Sequence, residues 1–102
     1  MNIEQILIDK GYRKYKDYGG SFPHSSYFYQ KKFKDDKGAK YFIEFIFYLK
    51  NGPLETSVMC NLSIDNPHQT YEQHHVKDVD LAESNCEKFF LAMNCEYNEY
   101  ER

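Results

Sequence analysis

Tryptophan is absent from this 102-residue chain, and its three cysteines, Cys60, Cys86 and Cys95, contain no C-x-x-C pair. An odd, widely spaced set of thiols argues against a disulfide framework and against a zinc knuckle, and fits a reducing compartment. Long apolar runs are missing as well. The longest unbroken one, Phe45 to Leu49, falls far short of a membrane span. The amino terminus, MNIEQILIDK, carries Glu4 and Asp9 and lacks a basic start, so it is not expected to be a signal peptide. A cytoplasmic protein without a membrane segment is the expectation. A glycine-rich phosphate loop and a G-x-S-x-G elbow are both lacking, which removes two common frameworks for catalysis.

What the chain does have is aromatic side chains, ten Tyr and eight Phe, enough to fill both a core and part of a surface. Hydrophobic content of 41% with 28% charged residues is that of a globular protein, and residues 1–102 are expected to form one domain. The net charge of −3 is unevenly spread. Residues 1–50 hold ten Lys/Arg against six Asp/Glu, and residues 51–102 hold three against ten. Such asymmetry fits a polar surface presented to a partner, and it equally fits plain solubility.

Periodicity divides the chain into five elements. Ile3, Ile6 and Leu7 form one stripe of a short helix near 2–10, with Asn2 and Gln5 as a capping pair and Gly11 as its stop. Residues 12–26 are a long connection rich in Tyr, Lys, Gly and Ser. Strands are expected near 27–34, 39–50 and 55–64, the first two joined by an Asp35-Asp36-Lys37-Gly38 turn. Residues 65–78 lack a clear period and read as a loop. A last helix near 79–95 starts at a capping box of Asp80 and Glu83 and aligns Ala82, Cys86, Phe89, Phe90, Met93 and Tyr97.

The expected fold is therefore α+β: helix, three-stranded antiparallel meander, helix, with both helices on one face of the sheet. Tyr41, Ile43, Phe45, Phe47 and Leu49 would pack against the helices. The opposite face of the same strand is unusually apolar. Phe42, Ile46 and Tyr48, joined by Phe28 and Met59, are expected to stand there as a patch rimmed by polar residues, the usual signature of a protein contact surface. Polar replacements at Ile46 and Tyr48 would then spare the fold while abolishing association with a partner protein or a second copy. The competing expectation is that residues 12–26 or 65–78 cover this face.

Among the chemical constellations, His68, His74 and His75 lack the spacing of a helical zinc site, so no metal or other cofactor is expected. Cys60 and Cys86 fall on inward-facing stripes, where a thiol acts as a small hydrophobe, and no acid–base partner can be placed beside Cys95. No catalytic residue is identified, and an enzyme is not expected. Binding is the sharper expectation. Lys32, Lys34 and Lys40 interleave with Phe42 and Tyr48, the combination of basic rims and stacking rings by which single-strand nucleic-acid readers work.

The order helix, three strands, helix is similar to that of double-stranded-RNA-binding domains, which anchor phosphates through lysines at the start of the last helix. Here that position reads Asp78-Val79-Asp80-Leu81-Ala82-Glu83, whose carboxylates would repel a phosphate backbone. In size, Lys/Tyr/Asn-rich composition and self-contained layout the chain also resembles the small accessory proteins of phages and mobile elements, anti-CRISPR inhibitors among them. That resemblance carries no motif and implies no residue role. It implies a non-enzymatic protein that inhibits or regulates a host complex by binding a protein partner; the alternative is a reader of single-stranded nucleic acid.

Overall fold

The computed structural model describes residues 2–16, 26–34, 38, 40–49, 56–65 and 68–100, with Leu49 and 94–100 described by their backbone alone. The first helix, α1 (Ile3–Asp9), starts where the Asn2 side chain accepts the Gln5 backbone N–H at 2.8 Å. It stops at Gly11, whose φ of +93° is a left-handed conformation that a side chain disfavours. Five strands follow: β1 (Arg13–Lys16), β2 (Tyr27–Lys34), β3 (Lys40–Leu49), β4 (Thr56–Ile64) and β5 (Gln69–Gln73). The last helix, α2, spans Val79–Tyr100. The five strands form one antiparallel sheet in the order β1-β2-β3-β4-β5, each paired with its neighbours in sequence.

Among the described residues the sheet thus has five strands where alternation alone predicts three. The first addition, β1, comes from the connection at 12–26, and the second, β5, from the 65–78 loop; residues 17–25 lie outside the described residues. Neither addition has apolar alternation. Pairing supplies what the pattern lacks, because each lies beside a long strand that offers a ready hydrogen-bonding edge. Of the expected Asp35–Gly38 turn, only Gly38 is described, with φ +87°. The capping residue of α2 is also displaced: Asp78, not Asp80, accepts the backbone N–H of Leu81 at 3.1 Å.

One hydrophobic cluster joins both helices to one face of the sheet. It holds Leu7 of α1, Tyr29, Ile43, Phe45, Phe47, Cys60 and Leu62 of the central strands, and Val79, Ala82, Cys86 and Phe90 of α2. Phe89 is only partly buried and stacks on Tyr71 of β5 at 4.8 Å between centroids, which fixes the edge strand to the helix. Lys31 also lies on this face. Its ammonium passes 5.5 Å from the Phe33 ring and donates to the carbonyl of Lys10 at 2.7 Å, so the stem covers aromatic surface while the charge finds an acceptor.

The two helices are tied by charge. Lys10, just after α1, pairs with Asp80 at 2.6 Å and Glu83 at 3.0 Å on α2, and Glu83 also accepts the buried Tyr12 hydroxyl at 2.6 Å. Burial, and then the bond to Glu83, hold the Tyr12 phenol far above its ordinary range, so it stays a donor. Tyr12→Phe keeps the ring in its edge-on contact with Phe45 and removes only that donor. The expected cost is about 1–2 kcal/mol, the worth of a hydrogen bond to a charged acceptor that keeps a second partner. Urea denaturation of the two proteins measures it.

Candidate functional site

The second face of the sheet carries the residues singled out by the sequence. Its central row runs Arg13, Gln30, Glu44, Asn61, Glu72, one residue from each strand in register. Glu44, at 9% exposure, is effectively buried. Such a carboxylate needs hydrogen-bond donors, and its row supplies them: the Gln30 amide at 2.9 Å and the Asn61 amide at 3.3 Å. The face is therefore not divided into grease and solvent. It has a polar band through its middle, buried at Glu44 and Asn61 and exposed at Arg13 and Glu72.

On one side of that band the row reads Tyr15, Phe28, Ile46, Met59. The expected open patch is not open at its centre: Ile46 has 0% exposure and Met59 5%. Ile46 lies between Phe28 and Met59 across the sheet and between Glu44 and Tyr48 along β3, on the same face. Phe28 and Tyr48 are half-buried and both make further contacts. A protein partner or a second copy seated here would find Ile46 and Met59 already withdrawn from water.

The other side of the band is different. There Lys32 faces Phe42, and one row further out Lys34 faces Lys40. All three lysines are exposed, Phe42 is half-buried, and no ion pair neutralises the lysines among the described residues. Like charges directly opposite in an antiparallel pair repel and destabilise it. Toward the β1 edge Arg13 continues the polar band, and Tyr15 lies across it from these lysines. Tyr15 is 37% exposed and stacks on Phe28 at 5.2 Å.

No protein-family model, curated protein or solved structure matches this chain. The histidines do not converge: His74 lies 3.6 Å from Glu72, His75 Nδ1 lies 3.2 Å from the Ser57 hydroxyl, and His68 is exposed before β5. Among the described residues no group of three His, Cys, Asp or Glu side chains is arranged around a metal position. Among them, too, no helix is long and apolar enough to cross a membrane.

Two features of the site escape a reading of the sequence by period. Arg13 and Tyr15 look like part of a polar connection until β1 is paired to β2. Gln30, Glu44 and Asn61 are ordinary polar positions on three separate strands, and only the register brings them into one band. A signal for the second was present, since a carboxylate in the middle of an otherwise apolar strand invites a search for amides on its neighbours.

Proposed function

We propose that this protein is a non-enzymatic binding protein that holds single-stranded nucleic acid against the basic, aromatic end of its second sheet face. The observation that carries this reading is the direct opposition of Lys34 and Lys40, with Lys32 and Phe42 one row away on the same face. An arrangement that costs the isolated sheet stability becomes favourable when phosphates neutralise it. Phe42 offers ring surface on which a base stacks, contributing about 1–3 kcal/mol. Arg13 extends the basic strip toward the β1 edge. The carboxylates of α2 belong to an element on the opposite face and so do not oppose a strand of phosphates bound here.

The test is a fluorescence-anisotropy titration of labelled oligo-dT and oligo-U at two salt concentrations. Binding is expected at low salt and should weaken steeply as salt rises. Lys34→Ala should lower affinity for both sequences alike and reduce the slope of log K against log[salt] by about 0.7. Phe42→Ala should lower affinity while leaving that slope in place. An affinity indifferent to salt and to Lys34, or no binding at the lower salt, removes the nucleic-acid reading. The protein-partner reading then stands, as an inhibitor or regulator of the kind phage accessory proteins supply, with Phe42 and Tyr48 rather than Ile46 and Met59 as anchors.

A further inference from the structure

Cys60 and Cys86, two fully buried thiols that period alone makes small apolar fillers, lie against one another. Cys60 of β4 and Cys86 of α2 bring their sulfurs within 3.6 Å. The surroundings are not purely apolar. Gln73 of β5 sits opposite Cys60 in register, and its amide reaches up to the helix. It donates to the Ala82 carbonyl at 2.8 Å and to Cys86 Sγ at 3.5 Å, while its oxygen accepts from Asn85 at 3.0 Å. Three elements thus converge on one sulfur, with the Gln73 amide held in place by two further bonds.

We propose that Cys60 and Cys86 are a redox-active dithiol, which a peroxide converts into an intramolecular disulfide joining β4 to α2. Cys86 is the attacking sulfur. Its thiolate displaces hydroxide from the peroxide, breaking the O–O bond, and a proton from solvent turns that hydroxide into water; Cys86 is left as the sulfenic acid. The Cys60 sulfur then attacks Cys86 Sγ, its proton leaves with the sulfenic oxygen as a second water, and the S–S bond forms. Two thiols are oxidised by two electrons and one peroxide is reduced to two waters. The sulfurs need only close from contact distance to a bond of about 2.05 Å.

The electrostatics favour these roles. The Cys60 S–H and the Gln73 amide hold the Cys86 thiol below its ordinary range, against the opposing effect of burial. The hydrogen bond with Cys86, and then burial, push the Cys60 thiol well up. The Gln73 amide aimed at Cys86 marks that sulfur as the nucleophile and Cys60 as the resolving thiol. Both sulfurs are closed to solvent, so the oxidant enters during local opening of α2 from the sheet, and the reaction is slow in the resting fold.

The experiment uses the folded chain carrying Cys95→Ser, treated with hydrogen peroxide, quenched, unfolded, alkylated and digested. Mass spectrometry should find a cross-linked peptide pair containing Cys60 and Cys86, two hydrogens lighter than its reduced parts and separable by dithiothreitol. The protein should remain monomeric on a non-reducing gel. Its melting temperature should rise, because the closed loop restricts the unfolded chain, and should return on reduction. Gln73→Met, which removes a donor from Cys86, should slow cross-linking several-fold without preventing it. Peroxide-treated protein in which both thiols still alkylate, or in which Cys86 is driven to sulfinic or sulfonic acid with no cross-link, overturns the proposal. Cross-linking at an equal rate in Gln73→Met overturns the part assigned to Gln73.

Discussion

Replacing Phe45 by Ala is expected to destabilise the protein by about 3–5 kcal/mol, the range for deleting a buried aromatic side chain. Phe45 has 0% exposure at the middle of the central strand. Its register neighbours are Tyr29 on β2 and Cys60 on β4, and the Tyr12 ring meets it edge-on at 5.5 Å. The site cannot collapse easily to fill the space, because its walls belong to different elements held by hydrogen bonds and ion pairs. For a domain whose whole stability is on the order of 5–15 kcal/mol, such a loss brings it close to unfolding at ordinary temperature. Guanidinium denaturation should show a much lower midpoint with an unchanged slope. A variant within about 1 kcal/mol of the parent, the scale of a surface change, would place Phe45 outside the core.

The second large effect falls on the opposite face and reverses what alternation leads one to expect. Ile46→Ser should cost about 3–4 kcal/mol, from lost apolar burial together with a hydroxyl placed where no water reaches it. A side chain at 0% exposure cannot be changed to a polar one as though it stood at an interface. Lys34→Ala, on the exposed part of that face, serves as the comparison and should leave the denaturation midpoint nearly unmoved or slightly raised, since it relieves the repulsion from Lys40. If Ile46→Ser melts like the parent, the face is open at its centre and the apolar patch becomes a contact surface again.

These two positions mark how far the sequence could be read. The helix-facing side of β3 is legible because Tyr41, Ile43, Phe45 and Phe47 recur at period two beside two helices with apolar stripes. The three long strands are legible for the same reason, and so are Lys32, Lys34, Lys40 and Phe42 as members of one face. The edge strands are not. RKYK and QTYEQ are held by long neighbours and by side-chain contacts such as Tyr15 on Phe28, Tyr71 on Phe89 and Gln73 on Ala82, so their structure comes from tertiary context and not from their own pattern. The buried state of Ile46 and Glu44 is hidden for a related reason. Alternation tells which face a residue occupies but not whether that face is wet. Cys60 and Cys86 are each legible as inward-facing; their meeting depends on how α2 lies across β4 and β5, which no local period records.

The composition of β1 has one more consequence. It ends the sheet, and three of its four residues, Arg13, Lys14 and Lys16, are cations, with every position exposed. A foreign strand, or the same strand of another copy, could in principle extend the sheet along that border and begin a fibre. Two copies meeting antiparallel there would press six positive charges into one narrow seam. The border thus works as an electrostatic gatekeeper against self-templating. Its protection is set by the ionic medium, strongest in dilute buffer and fading as added salt shortens the reach of those charges.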